Sequence, residues 1–569
     1  MEQKTIYTVT ANCQDCYRCV RACPVKAIRV SGGQAKVEDD LCIKCGTCVQ
    51  ECPQRAKMIR SDIEQVKALL LSGQSVAASV APSFAAVFGG ALANRFPSAL
   101  RALGFSHVSE TAEGAKYVTN KTFEPKHSGN ICTACPAVVN YVEKYKPELL
   151  DALIPIVSPM IAHGRLLRAA YPGAAVVFIG PCAAKKQEAN RPENRDAVDF
   201  ALTFSEVAQW MEEEGILIGN CSESSFENMG EIGDARLFPL QGGMLKTAGI
   251  AGDGVSGDIL HISGADDVMG LFDETDMLNR YRYVEPLFCK GGCIGGPDFA
   301  GDKNLFARRE MVINYAKSRS ARPEYIHSGG KSTDVSYSAN FAGILVSSIE
   351  ITENQINKIF ERTGKTDPSF QLNCGACGYK TCVENAAAVA RGMAEPEMCI
   401  PYMRRLAQQR TDKIIETAPN GIVVLDNELC MIKMNPAFQK MFMCNNGLLG
   451  RRISYLVNAE GYEELLSGST DLYESIRIKY GIRYHEILYA LRDEDQYVGI
   501  YANISKLKYD DRQLDVIKTQ TLVHAREFLD HQVRFAQEMA HYLGKSTAKS
   551  EEIAKRLINL YEQDGEDGQ

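Results

Sequence analysis

Cys13-Gln14-Asp15-Cys16-Tyr17-Arg18-Cys19-Val20-Arg21-Ala22-Cys23-Pro24 and Cys42-Ile43-Lys44-Cys45-Gly46-Thr47-Cys48-Val49-Gln50-Glu51-Cys52-Pro53 are one pattern written twice, C-x2-C-x2-C-x3-C-P. Three thiolates on one tight loop reach three irons of a cubane, and the fourth cysteine of each run reaches across to the other cluster. The spacing therefore assigns Cys13, Cys16, Cys19 and Cys52 to one 4Fe–4S cluster and Cys42, Cys45, Cys48 and Cys23 to a second. Zinc knuckles are the alternative, but zinc sites usually pair two C-x2-C units.

Residues 1–60 resemble a bacterial two-cluster ferredoxin domain. Such a domain moves electrons, so any chemistry lies further along the chain. The 569 residues suggest about three to five domains. With 45% hydrophobic and 24% charged residues, the composition is that of ordinary globular protein. A net charge of −8 argues against a nucleic-acid partner. No run of about 20 apolar residues is present, so no membrane span is expected. The start Met1–Val9 lacks a basic-then-apolar signal, and 20 cysteines without one point to a reducing, cytoplasmic setting where thiols bind metals.

Residues 62–345 read as α/β, with strands at Val76–Val80 and Val176–Ile179 and helical patterns at Val138–Leu150 and Phe204–Glu214. The strand at 176–179 runs into Gly180-Pro181-Cys182, placing a thiol at a strand end, where α/β folds put their sites. Cys135, Cys182, Cys289 and Cys293 lie in three separated segments. Spacing alone leaves them either as metal ligands or as unrelated buried thiols.

Those three segments resemble the three signature motifs of the iron-only hydrogenases, in order. Cys132-Thr133-Ala134-Cys135-Pro136 is similar to the first, T-S-C-C-P. Gly180-Pro181-Cys182-Ala183-Ala184-Lys185-Lys186-Gln187-Glu188 is similar to M-P-C-x-x-K-x-x-E. Leu287-Phe288-Cys289-Lys290-Gly291-Gly292-Cys293-Ile294-Gly295-Gly296 is similar to M-A-C-x-x-G-C-x-x-G-G. Ala81-Pro82-Ser83 and Phe238 through Gly243 fit as well. The resemblance implies an H-cluster: a 4Fe–4S cubane joined through one cysteine to a di-iron unit with CO, cyanide and a bridging dithiolate. It implies Cys135, Cys182, Cys289 and Cys293 as cubane ligands, with Cys293 as the bridge. Lys185 would donate to one cyanide, Ser83 with its neighbours to the other, and Pro82 and Phe238 would line the site. A buried cyanide nitrogen needs a donor, and a charge-assisted one is strongest.

The departures are equally specific. Ala134 stands where the family carries its relay cysteine, and losing a positioned acid or base typically costs about 10²- to 10⁴-fold in rate. Gly180 and Leu287 replace the motif methionines, and Met160 stands where glutamine is common. Cys132 is expected to point elsewhere, and Glu110 and Glu113 are open candidates for a substitute proton path. The resemblance with these departures implies slow reaction of H2 and protons, with hydrogenase maturation factors and a redox partner such as ferredoxin.

Residues 350–405 carry Cys374, Cys377, Cys382 and Cys399, a C-x2-C-x4-C-x16-C pattern that resembles a small helical four-cysteine 4Fe–4S domain, with zinc as the alternative. It is expected between the H-cluster domain and the C-terminal region. Residues 410–508 resemble a PAS domain of unknown ligand, with a helix and strand across Ile414–Asp426, Asn435-Pro436-Ala437-Phe438, and strands at Ser475–Lys479, Tyr484–Ala490 and Tyr497–Asn503. Cys430 and Cys444 read as buried thiols. In the helical segment 510–562, Leu522, Leu529, Ala536 and Leu543 recur every seven residues, which suits homodimerisation or capping of the PAS sheet. His524, His531 and His541 read as surface residues, and output is expected through a separate signalling protein. The expected architecture is multidomain α+β and α/β: ferredoxin, two-lobed H-cluster domain, helical Fe–S domain, PAS-like domain and C-terminal helix. The function implied is a sensory iron-only hydrogenase. The alternatives are a ferredoxin-linked catalytic hydrogenase with a docking module, and a non-enzymatic Fe–S assembly scaffold.

Overall fold

The computed structural model describes residues 4–124, 129–230, 232–250, 257–299, 304–320, 335–346 and 350–505. The chain divides into two units, Met1–Pro396 and Glu397–Gln569. The proposed coiled-coil segment 510–562, with His524, His531 and His541, lies outside the described residues. Among the described residues no helix is long and apolar enough to cross a membrane.

The first unit opens with a doubled α+β lobe. Strand β1 (Ile6–Thr8) pairs antiparallel with β4 (Lys57–Ile59), and β2 (Ile28–Ser31) with β3 (Gln34–Val37). Helices α1 (Arg18–Ala22) and α2 (Thr47–Gln50) each grow out of a cysteine loop. The repeat extends to the backbone. Asp15, Tyr17 and Lys26 have φ of 50°, 54° and 52°, and Lys44, Gly46 and Arg55, each 29 positions later, have 61°, 80° and 51°.

The larger lobe is built on a parallel sheet in the order β6-β5-β7-β8, comprising β5 (Val76–Val80), β6 (His107–Glu110), β7 (Ala175–Ile179) and β8 (Phe200–Leu202). β5 and β7 are buried at every position, which explains their unbroken apolar sequence. From β5 the chain goes first to one neighbour and later to the other, so the topological switch lies between β5 and β7, where open α/β sheets bind ligands beyond the strand ends. Helices α3 (Ala112–Thr122), α4 (Pro136–Tyr145), α5 (Pro159–Ala170), α6 (Ala183–Ala189) and α7 (Phe204–Glu213) belong to this lobe. α7 begins at a capping box between Thr203 and Glu206. A separate parallel pair, β9 (Ile259–Ser263) and β10 (Tyr283–Leu287), carries the last cysteine segment.

The helix expected over Val138–Leu150 ends at Tyr145. Pro147 has no N–H to give, and Lys146 before it sits at φ −138°, ψ 53°, so the chain continues as a 3-10 turn, Pro147–Ala152.

The segment after residue 350 packs back on the start of the chain. Its helices α8 (Glu353–Thr363) and α9 (Cys382–Ala390) accompany a loop that packs on the small N-terminal lobe. Arg21 donates to the Ala376 carbonyl at 3.2 Å and to the Cys16 carbonyl at 3.1 Å, and Val30 N–H donates to Met393 at 3.0 Å. Gly378, at φ +96°, lets the loop lie on Val20, where an added Cβ would stand 3.0 Å away. The contact is long-range in sequence, and no local pattern announces it. Cys374, Cys377 and Cys382 belong to this unit, and Cys399 belongs to the second.

In the second unit α10 (Ile400–Thr417) leads into an antiparallel sheet of order β12-β11-β15-β14-β13, from β11 (Gly421–Leu425), β12 (Met431–Met434), β13 (Leu472–Lys479), β14 (Ile482–Leu491) and β15 (Gln496–Asn503). Asn435 secures the start of the sheet: its carbonyl oxygen accepts from Ile422 and Phe438 N–H, and its amide donates to Ile415 and Asn420. Helices α11 (Pro436–Phe442) and α12 (Glu460–Ser467) cover the inner face. Phe438, Phe442, Tyr462, Tyr484 and Tyr501 fill the space between, and the hydroxyls of Tyr462 and Tyr501 bond at 2.8 Å. Cys430 and Cys444, expected to be buried, are half-buried.

Candidate active site and its metal centres

One cavity gathers residues that are far apart in sequence. It encloses about 740 Å³ of space free of protein atoms, part of it open to solvent. Cys135, Cys182, Cys289 and Cys293 all line it, as do Pro82, Ser83, Ala134, Lys185 and Phe238. The fold explains the convergence. Ala81-Pro82-Ser83 leaves the end of β5, Gly180-Pro181-Cys182 leaves the end of β7 beside it, and Cys289 follows β10. Cys135 and Cys182 are the N-cap residues of α4 and α6, where free backbone N–H groups favour a thiolate.

The third cysteine loop is held by its neighbour. Cys293 N–H donates to the Pro239 carbonyl at 2.7 Å. Gly292, at φ +94°, is required there, because a Cβ would lie 2.3 Å from that same carbonyl. Phe238 reaches the cavity from this clamp.

The wall is apolar apart from a few groups. Ser83 Oγ is buried and has no hydrogen-bond partner among the described residues. Lys185 is buried, with its Nζ 2.8 Å from Glu188. Ala134 presents a methyl group. Cys132 is buried outside the lining, and burial first, then the Glu285 carboxylate, pushes its thiol far up. Gly180 is explained by Phe178: a Cβ at 180 would meet that ring at 2.6 Å, so the ring takes up the volume. Met160 and Leu287 also line the cavity.

Burial drives the thiols upward. Cys182 is pushed to about 11 and Cys293 to about 12, with the neighbouring cysteines adding to the effect, and Cys289 goes well above its ordinary value. Buried thiols that repel one another's ionisation suit a cationic iron–sulfur centre, which deprotonates its ligands outright. Among the described residues no three His, Cys, Asp or Glu side chains converge on a single ion. Cubane ligands bind four separate corners and stand wider apart than the ligands of a mononuclear site. The donor set and the unpartnered Ser83 hydroxyl therefore fit a cluster with polar diatomic ligands.

Comparison with known proteins agrees with this geometry. Residues 74–297 match the family model for the iron only hydrogenase large subunit, C-terminal domain. The central domain is iron-only hydrogenase-like. Residues 5–66 match a 4Fe-4S dicluster domain, and residues 371–401 match an Fe-S cluster model. The NADP-reducing hydrogenase subunit HndD of Solidesulfovibrio fructosivorans is 26% identical over 351 residues, 49% of this chain and 60% of that one. The periplasmic iron hydrogenase large subunit of Nitratidesulfovibrio vulgaris is 26% identical over 289 residues, 41% of this chain and 68% of that one. A cytosolic Fe–S cluster assembly factor of Kluyveromyces lactis is 34% identical over 119 residues, 18% of this chain and 25% of that one. The chain thus spans less than two thirds of the first of these relatives.

In the dicluster lobe of this hydrogenase-like chain, the thiols group across the repeat. Burial pushes Cys19 to about 11, with Cys16, Cys13 and Cys52 adding to it, whereas Cys23 goes to about 12 with Cys45 and Cys42 as its neighbours. Backbone N–H groups point at sulfur at matching places: Ala27 at Cys23 and Ala56 at Cys52, both at 3.2 Å. Cys45 of the second group packs against the same apolar cluster as Cys135 and Cys182 of the hydrogenase-like cavity. The junction is tight. Gln50 donates to the Gly295 and Gly296 carbonyls at 3.0 and 2.6 Å, and a Cβ on Gly46 would meet Pro297 at 2.5 Å. On the other side of the lobe, Lys26 feels both Cys23 and Cys377 and lies over the Tyr379 ring.

The motif reading did not include Thr111 or Phe178, which also line the cavity. Thr111 follows the end of β6, the same strand-end position that singled out Cys182. Glu110 takes no part in the wall. Burial alone would raise its carboxyl, but the Arg236 guanidinium beside it, with help from Tyr315, holds it below the ordinary range.

Proposed function

We propose that this chain is a sensory iron-only hydrogenase that reacts with H2 and protons slowly and reports redox state through its Fe–S clusters. The observation that carries the reading is a single cavity with four cysteines, a buried Lys185 and an unpartnered Ser83, next to a methyl at Ala134. Cys135, Cys182, Cys289 and Cys293 would hold the H-cluster, with Cys293 as the bridging thiolate. When bound, that group supplies the metal centre at which H2 is split or formed. Lys185 and Ser83 would orient it by donating to its cyanide ligands, while Pro82, Phe238 and Phe178 exclude water.

Cys13, Cys16, Cys19 and Cys52 would hold one further 4Fe–4S cluster, and Cys42, Cys45, Cys48 and Cys23 a second. Cys374, Cys377, Cys382 and Cys399 would hold a third. Electrons would pass from the cavity through the Cys42–Cys48 cluster, because Cys45 packs against the same apolar cluster as Cys135 and Cys182. The strand order of the second unit, with two helices on its inner face, supports the PAS reading over 410–508. Domain limits of 1–60, 62–345 and 350–405 go with this assignment, as do a helical output segment at 510–562, a homodimer, a cytoplasmic location, maturation factors, a ferredoxin-type donor and a separate signalling partner.

A second reading, an Fe–S assembly scaffold, is favoured by the Kluyveromyces lactis relative and by the missing thiol. Infrared spectra of anaerobically matured protein separate the two. CO and cyanide bands are expected for the hydrogenase, and their absence with all cubanes present would favour the scaffold. H2 titration followed by affinity for the partner tests the sensory half, and a flat response at potentials that change the clusters would remove it.

A further inference from the structure

Ala134 leaves a proton-coupled site without its thiol, and the cavity wall offers another exit. Thr111 lines the cavity and lies at the end of β6. Its hydroxyl is 2.7 Å from Ser79 Oγ, which is 2.7 Å from Nδ1 of His163. His163 is fully buried on α5, in the middle of an otherwise apolar helix face. Its Nε2 lies 3.3 Å from Ser109 Oγ and 3.7 Å from Oε2 of Glu113. Glu113 accepts from Met229 N–H at 3.2 Å, and its second oxygen, Oε1, has no hydrogen-bond partner among the described residues. That oxygen faces the half-buried Gly230, whose ideal Cβ position is 3.5 Å from it and 3.9 Å from the Tyr117 hydroxyl.

The packing is built to allow this line. α3 and α5 approach so closely that a Cβ on Gly114 would stand 2.5 Å from the Pro159 carbonyl and 2.7 Å from His163 Cβ. A histidine buried in a core for structural reasons needs two partners for its ring nitrogens. Here the two sides connect a cavity wall to a buried carboxylate beside the half-buried Gly230.

We propose that Thr111, Ser79, His163 and Glu113 form a proton relay between the cavity and the surface at Gly230 and Tyr117, in place of the thiol absent at Ala134. The proposal rests on the hydrogenase reading. As a proton arrives at Thr111 Oγ1, the threonine hydrogen passes to Ser79 Oγ and the serine hydrogen to His163 Nδ1. His163 then releases its Nε2 proton to Glu113, which gives it to solvent. One proton crosses, each O–H or N–H bond broken is matched by one formed, and no electron moves. Imidazole suits the central place because it holds a proton on one nitrogen while releasing one from the other. Glu110, only one residue from Thr111, is unsuitable because Arg236 holds it ionised.

The test uses the full matured chain and a pH jump followed in the CO and cyanide infrared bands. Thr111→Val and His163→Gln are expected to leave the equilibrium band positions in place and to slow the relaxation at least about tenfold. Thr111→Ser keeps the hydroxyl and should relax like the wild type. Unchanged relaxation in Thr111→Val overturns the relay while leaving the hydrogenase reading intact. Bands lost in Thr111→Val alone would make Thr111 a cofactor-seating residue and also overturn the relay. Absence of the bands from the wild type overturns both.

Discussion

Replacing Glu285 by glutamine should stabilise the hydrogenase-like domain at alkaline pH and change little near pH 5. Glu285 lies on β10 and is buried. One carboxyl oxygen accepts from Met244 N–H at 3.1 Å, and the other has no hydrogen-bond partner among the described residues. Burial raises its pKa from the ordinary 4.5 to about 8, with the backbone N–H groups of Met244 and Gly242 offsetting part of the effect. The sign follows from proton counting. Above pH 4.5 the unfolded chain releases this proton while the fold retains it, so stability falls by about 1.4 kcal/mol per pH unit until about pH 8. The accumulated cost is about 5 kcal/mol, which the Glu285→Gln variant avoids because its amide is neutral throughout. Trp210 is the chain's single tryptophan and is buried in this domain's core, so its fluorescence during urea unfolding of the cluster-free protein reports on the right unit. The wild-type midpoint should fall between about pH 5 and pH 8 while that of Glu285→Gln stays level by comparison. Parallel pH profiles would refute the claim that the fold holds Glu285 neutral.

Three further outcomes are expected from the same structure. Ala134→Cys should raise H2 evolution at least about tenfold, toward the 10²- to 10⁴-fold worth of a positioned acid or base, and an equal rate in a steady-state assay would remove the argument from the missing thiol. Glu110→Gln leaves Arg236 buried without its carboxylate and should cost about 3–5 kcal/mol in the Trp210 transition. A loss below about 1 kcal/mol would mean the pair contributes little. Gly499→Ala places a Cβ 1.9 Å from the Tyr462 hydroxyl and should destabilise the second unit by about 1–3 kcal/mol, read in tyrosine near-ultraviolet dichroism with the Trp210 transition unmoved.

The metal-binding character of this chain was legible in one dimension. The two C-x2-C-x2-C-x3-C-P runs carry their cluster logic locally, because a cubane is held mostly by one loop, and the 29-residue repeat in backbone φ follows from the same spacing. Strands β5 and β7 were readable because burial on both faces demands unbroken apolar sequence. The hydrogenase motifs are likewise short words whose order survives in the sequence.

What required the tertiary structure is everything set by approach between distant segments. Only the parallel pairing of β5 with β7 brings Ser83 beside Cys182. Only the close packing of α3 on α5 connects Thr111 to His163 and Glu113, residues whose types carry no motif. The docking of the Cys374–Cys382 loop on the ferredoxin-like lobe could not be read along the chain, because Arg21, Val30 and Gly378 make that contact across more than 350 positions. Ligand identity is local chemistry and is written in the sequence. The proton and electron routes depend on hydrogen-bond distances and on which surfaces meet, and those exist only once the chain has folded.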